Sequence, residues 1–143
     1  METGFIEPTD ASAAAMFKRG LQGEVLMLNL LRFREQADYS DFPELAPQQP
    51  LTGYGAYKKY MAHAGPLLER RGGEVLVAGE GGNYFIGPQD EQWDMVLLVR
   101  YPDQATFLAF ASDEEYLAGL GHRTAALADS RLLPIKPKGP AAN

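Results

Sequence analysis

Residues 93–135 read WDMVLLVRYPDQATFLAFASDEEYLAGLGHRTAALADSRLLPI, and this stretch decides the fold. Its opening alternates as a strand does. Trp93, Met95, Leu97, Val99 and Tyr101 share one face, and Asp94, Val96, Leu98 and Arg100 share the other. Pro102, followed by Asp103, suits the first turn of a helix. That helix carries Ala105, Leu108 and Ala111 on one side, with Phe107 beside them. Ser112-Asp113-Glu114-Glu115 has the form of a capping box, with Ser112 as the cap and Glu115 three residues on. Tyr116, Leu120, Arg123 and Leu127 then recur at helical spacing, while Gly119 and Gly121 weaken the helix and predict a kink. Arg131 to Ile135 is a last strand. Strand, helices and strand make half of a βαββαβ pattern.

The other half lies upstream. Glu24 to Phe33 is a strand with Val25, Met27, Asn29, Leu31 and Phe33 on one face and Leu26, Leu28, Leu30 and Arg32 on the other. Apolar residues on both faces require cover on both sides. Gly53 to Arg71 reads as a helix with a stripe of Tyr54, Tyr57, Met61, Ala64 and Leu68. Pro66 is expected to bend or restart it near Gly65, and Gly72-Gly73 end it. Glu74 to Ala78 and Asn83 to Ile86 are strand candidates around Glu80-Gly81-Gly82, which fits a hairpin or one long bulged strand. Strand–helix–strand occurs twice, so the expected class is α+β: a ferredoxin-like fold with a four-stranded antiparallel sheet.

Outside this core (residues 24–135), residues 1–20 form a helical extension. Thr9 or Asp10 caps a helix through Ala13 to Phe17 that Lys18, Arg19 and Gly20 stop. Residues 34–52 carry three prolines and several acids without periodicity, the pattern of a functional flap or a mobile insertion. Arg32 and Arg34 flank it and are placed to hold its acids. Residues 136–143 read as a loose tail. At 143 residues the whole fits a single domain.

Composition removes several function classes. The net charge of −6 and pI near 4.9 argue against a surface that tracks nucleic-acid phosphates. With no cysteine, thiolate catalysis, disulfides and Cys-based metal sites are out. Two histidines without metal-ligand spacing predict no metal site. No apolar run nears the ~18 residues of a membrane span, and no leader pattern opens the chain, so the expected location is the cytoplasm. There is no GxGxxG, no phosphate-cradling GxxxxGK[ST] and no GxSxG elbow.

The phrases WDMVLLVRYPD, SDEEY and HRTAALADSRLLP, with MLNLLRF in the first strand and RRGGEVL entering the second, resemble an uncharacterised bacterial family, a domain of unknown function, of the dimeric α+β barrel superfamily. That superfamily also holds antibiotic-biosynthesis monooxygenases, muconolactone isomerases, EthD-type proteins and haem-binding chlorite dismutase relatives, which share a fold and not a reaction. The resemblance implies a homodimer joined through its sheets, helices on the outer faces, and a cleft between sheet and helices in each protomer. The residues point to the same dimer independently: one helical layer can cover only one face of a sheet that is apolar on both.

Candidate site residues follow from polar groups in apolar settings. Asn29, a lone amide in an apolar row, either orients a ligand or pins a neighbouring segment. Arg100 either binds a substrate carboxylate or pairs with a neighbouring strand or subunit. Arg123 either reaches the cleft or pairs at the helix surface. Tyr54 and Trp93 are candidate cleft walls. His63, His122 and Tyr57 are the candidates for proton transfer, and the histidines are also the axial ligands that a haem reading would need. The expected function is small-molecule binding. As an enzyme it would be an isomerase, lyase or oxygenase that works without a cofactor, by acid–base chemistry on a small aromatic or carbonyl compound. The alternative is a non-catalytic dimer that binds a ligand, or a partner through the acidic insertion.

Overall fold

The computed structural model of the protein describes residues 4–138. In chain order the elements are α1 (Asp10–Lys18), β1 (Val25–Phe33), a 3-10 turn (Pro43–Leu45), α2 (Gly53–Arg70), β2 (Glu74–Asn83), β3 (Gln92–Tyr101), α3 (Gln104–Ala111), α4 (Glu114–Leu117), α5 (Leu120–Ala126) and β4 (Leu127–Ile135). The four strands form one antiparallel sheet in the order β2-β3-β1-β4. Two interleaved strand–helix–strand units in this order are the ferredoxin-like arrangement.

Register explains the burial. Val25, Met27 and Leu31 stand opposite Tyr101, Val99 and Met95. All but the half-buried Met95 are below a tenth exposed, under a helical layer built on the packing of α2 against α5. The opposite row, Leu28 with Leu98 and Leu133, and Leu30 with Val96, faces away from the helices. Leu133 is 56 % exposed there, and Val77 of β2, paired with Leu98, is 50 % exposed.

Several local expectations are corrected. Ser112 is the C-cap of α3, its hydroxyl donating to the Leu108 carbonyl; Asp113 caps α4 by accepting from the Glu115 N–H at 2.8 Å. Pro102 precedes α3, whose cap is Asp103, accepting from the Thr106 N–H at 2.7 Å. The kink expected at Gly119 and Gly121 is a full break between α4 and α5. An added Cβ at Gly119 would lie 2.3 Å from the His63 ring. Leu127 already belongs to β4, which starts four residues earlier than its apolar run suggested. Of the two readings offered for Glu74 to Ile86, the long bulged strand holds: β2 runs through Gly81 and Gly82 as one strand, Glu74–Asn83, with a register shift between Val75 and Val77, but it stops at Asn83, short of the expected Ile86. Pro66 sits inside an uninterrupted α2. Thr9, one of the two expected caps, holds α1 as expected, in a reciprocal box with Ser12. Of the expected tail, residues 139–143 lie outside the described residues.

The insertion packs onto the core. Ala37 N–H donates to Leu51 O and Asp38 N–H to Ala125 O, both at 2.9 Å, Gln36 bridges to Thr52, and Tyr39 is buried. Residues 34–52 form a strap across the C-terminal end of α5.

Candidate functional site

β1 and β3 stop pairing after Leu31↔Met95. At the next step the Asp94 carboxylate, in place of a backbone carbonyl, accepts the Phe33 N–H at 2.8 Å. Nearby, α2 starts at Gly53 with Thr52 as its cap, accepting from Gly55 N–H at 2.9 Å. That start places Tyr54 in the first turn, over the end of β1. A cleft of about 580 Å³ lies between this turn and the sheet, lined by Phe33, Tyr54, Ala78, Gly79, Glu80, Asp94 and Met95. Its size falls in the range that holds small molecules.

The walls are mixed. The Phe33 and Tyr54 rings sit 5.5 Å apart, tilted by 45°. Met95 and Ala78 complete the apolar part, and Glu80, opposite Met95 in the β2–β3 ladder, projects from the same face. The Lys58 amine lies 4.9 Å above the centre of the Tyr54 ring. β2 supplies a thin wall, since Gly79 and Ala78 fill little space there.

Of the residues singled out from sequence, Tyr54 lines this cleft. Asn29 lies on the helix-facing side of β1, its amide donating to the Met27 carbonyl at 3.2 Å. Arg100 pairs with Glu24 at 2.9 Å and Glu74 at 3.4 Å. Arg123 donates to Ile6 O at 2.7 Å, tethering the N-terminal segment. Tyr57 is buried, and that burial pushes its phenol up to about 12. His63 Nε2 meets the Glu115 carbonyl at 2.6 Å. His122 Nδ1 meets the Tyr39 hydroxyl at 2.7 Å; burial first, then the charges of Lys59 and His63, lowers its pKa. Neither imidazole lines the cleft.

Trp93 is a different case. Strand alternation placed it with Met95; the β1–β3 ladder ends before it, while β2–β3 pairing runs on through Gly82↔Trp93. Its ring is within cation–π reach of the guanidinium groups of Arg32 (5.4 Å) and Arg131 (4.9 Å), both on the row facing away from the helices. Trp93 Nε1 donates to the Tyr84 hydroxyl at 2.7 Å, and that hydroxyl donates to Glu91 at 2.6 Å. Arg32 and Arg131 both pair with the buried Asp129, at 3.0 and 2.7 Å. Asp129 also accepts the Phe5 and Ser130 N–H groups.

The sequence reading missed Glu80, Phe33 and Met95 as cleft residues and Asp129 as a hub. Glu80 stands alone among glycines, a pattern that resembled a turn. Asp94 has a backbone N–H, that of Phe33, as its partner, which no side-chain pattern reveals.

A family model described as domain of unknown function DUF1330 matches residues 50–134. Two crystal structures of RPA0582, described as a protein of unknown function from Rhodopseudomonas palustris, share 40 % identity with this chain. One covers 98 % of this chain and 99 % of its own with a TM-score of 0.84; the other covers 96 % and 100 % with 0.82. SnoaB, a cofactor-independent oxygenase from Streptomyces nogalater, is similar in fold: 11 % identity, 85 % of this chain and 100 % of its own, TM-score 0.52. Nothing among the curated proteins matches. The match across residues 50–134, together with a relative 40 % identical over nearly the full length of both chains, makes this chain a member of the DUF1330 family.

Proposed function

We propose that this protein is a homodimer, joined through the sheet faces that its helices leave uncovered, and that each protomer binds a small molecule in the cleft beside Tyr54. The observation that carries the reading is the cleft itself. Its space of about 580 Å³ has aromatic and aliphatic walls and two carboxylates, Glu80 and Asp94. A cavity of that kind gives a small ring compound area to bury and polar groups to orient it. The dimer reading is supported by the exposed apolar row of Leu133 and Val77 beside the central leucines.

Acid–base catalysis on the bound compound is the activity this site suits, the reaction class being isomerisation, lyase chemistry or oxygenation without a cofactor. Glu80, on an exposed edge strand, takes the role of general base in this reading. Asp94, held by the Phe33 N–H, orients the substrate. The fold likeness to SnoaB accords with such chemistry and adds no residue to it. The insertion is engaged with α5 through Tyr39 and Asp38, which gives a partner-docking role no support.

A thermal-shift screen of small aromatic and carbonyl compounds tests the proposal. A ligand at 100 times its dissociation constant adds about 2.7 kcal/mol. Binding is expected to be lost in Tyr54→Ala. Glu80→Gln is expected to keep binding of uncharged compounds and to lower turnover about 10²- to 10⁴-fold, the usual share of a general base. Hits whose stabilisation survives Tyr54→Ala unchanged would place the ligand elsewhere and end the reading. Hits that bind at the cleft without being converted leave a binding protein.

A further inference from the structure

We infer that the cleft takes a small aromatic amine in its ammonium form, an inference that rests on the cleft reading above. Four observations point the same way. The charged side chains lining the cleft, Glu80 and Asp94, are both carboxylates, acceptors that a cationic N–H donor satisfies. Asp94 spends one acceptor position on the Phe33 N–H, and a carboxylate has several. The Phe33 and Tyr54 rings line the same space, 5.5 Å apart, and ring faces attract cations. Lys58 already holds its own ammonium 4.9 Å over the Tyr54 ring, an internal stand-in for the group that the ligand would bring. Finally, the net charge of −6 draws cations towards the protein and repels anions.

Lys58 also makes the proposal testable in both directions. Its ammonium competes with a cationic ligand for the Tyr54 ring and repels it, so its removal should help an amine and leave a neutral analogue unaffected. The Glu80 and Asp94 charges should act the opposite way. Glu80 is exposed on an edge strand, and the Asn carbonyl of an Asp94→Asn variant can still accept the Phe33 N–H, so both variants are expected to fold.

Phenethylamine, phenethyl alcohol and hydrocinnamate present one ring with a cationic, a neutral and an anionic end. Their affinities are measured by calorimetry on the full chain, with amide chemical shifts to locate each. The amine is expected to bind about tenfold tighter than the alcohol, from one cation–π contact and one exposed ion pair, and the acid more weakly than either. Glu80→Gln and Asp94→Asn should shrink the gap between amine and alcohol, and Lys58→Gln should widen it. Equal binding of amine and alcohol at the cleft, or tighter binding of the acid there, overturns the amine assignment and leaves the cleft reading standing. No shift at Tyr54, Glu80 or Met95 with any of the three probes overturns both.

Discussion

Asp129 shows how one carboxylate can organise a surface. Burial pushes its pKa up, but the Phe5 N–H, the Arg131 guanidinium and the Ser130 N–H together outweigh burial and hold it below the usual carboxylate range. A carboxyl whose folded pKa is depressed adds stability above its unfolded value near 3.8, and loses it as pH falls through the lower folded value. Acid unfolding should therefore begin at higher pH in the wild type than in Asp129→Asn, once each curve is referred to its own stability at neutral pH. At neutral pH the same variant should lose about 2 kcal/mol in urea denaturation, since it strands two arginines that are about a third exposed and partly hydrated. A loss below ~0.5 kcal/mol would show that water replaces the carboxylate without penalty. Tyr57 gives a second residue-scale prediction. Its phenol is expected to ionise near pH 12 in an absorbance titration, because burial leaves the phenolate without solvent. A titration midpoint near 10 would contradict its place in the core.

At the scale of elements, the junction of α2, β1 and α5 is the tightest point near the cleft. Gly53 N–H donates to Arg34 O at 3.0 Å, and Arg34 N–H donates to Ala126 O at 2.8 Å. A Cβ on Gly53 would stand 2.2 Å from Arg34 O and 2.7 Å from Ala126 O, both backbone atoms that no rotamer change can move. Gly53→Ala should cost about 3 kcal/mol, the upper end of overpacking, against a gain in helix propensity of at most about 1 kcal/mol. Because Tyr54 is the next residue, the same variant should weaken ligand binding at the cleft; an unfolding midpoint equal to that of wild type would refute the junction. The strap supplies a pH-dependent element. His122, its pKa lowered by burial and then by Lys59 and His63, is neutral when it meets Tyr39. Below its ordinary value of 6.5 the unfolded chain binds the proton more readily than the folded one, so stability falls as pH drops from there through the lower folded value. Limited proteolysis within residues 34–52 should accelerate over that range, and His122→Gln should flatten the response.

For the whole molecule, the proposed homodimer makes the uncovered sheet face the surface to test. Each Leu or Val fully withdrawn from water contributes about 1.5–3 kcal/mol, and in the proposed dimer the row of Leu28, Leu98 and Leu133, partly exposed in the single chain, would supply burial of this kind. Equilibrium sedimentation is expected to give twice the 15.7 kDa chain mass at micromolar concentration. Leu98→Asp, central in that row and away from the helical core, should give the single-chain mass with an unchanged far-UV circular dichroism spectrum. A wild-type mass of 15.7 kDa would refute the dimer.

The amino-acid order by itself determined the number and type of the main elements, the two-sided apolar character of the central strands and the ferredoxin-like arrangement. Hydrophobic periodicity is local, and Val25 to Phe33 or Met95 to Tyr101 carry it without reference to the rest of the chain. The tertiary structure alone decided what the polar residues do. Arg100 is paired through a sheet register that joins it to Glu74, a residue 26 positions away, and to Glu24, 76 away. Trp93 is held by Arg32, Arg131 and Tyr84, contacts across strands that no local pattern carries. Glu80 became a cleft residue because β2 runs straight through glycines that resembled a turn. Ser112 and Leu127 were misassigned for a related reason. Short helices with several cap candidates are settled by what they pack against: Gly119, just after α4, lies against His63, and α5 runs directly into β4.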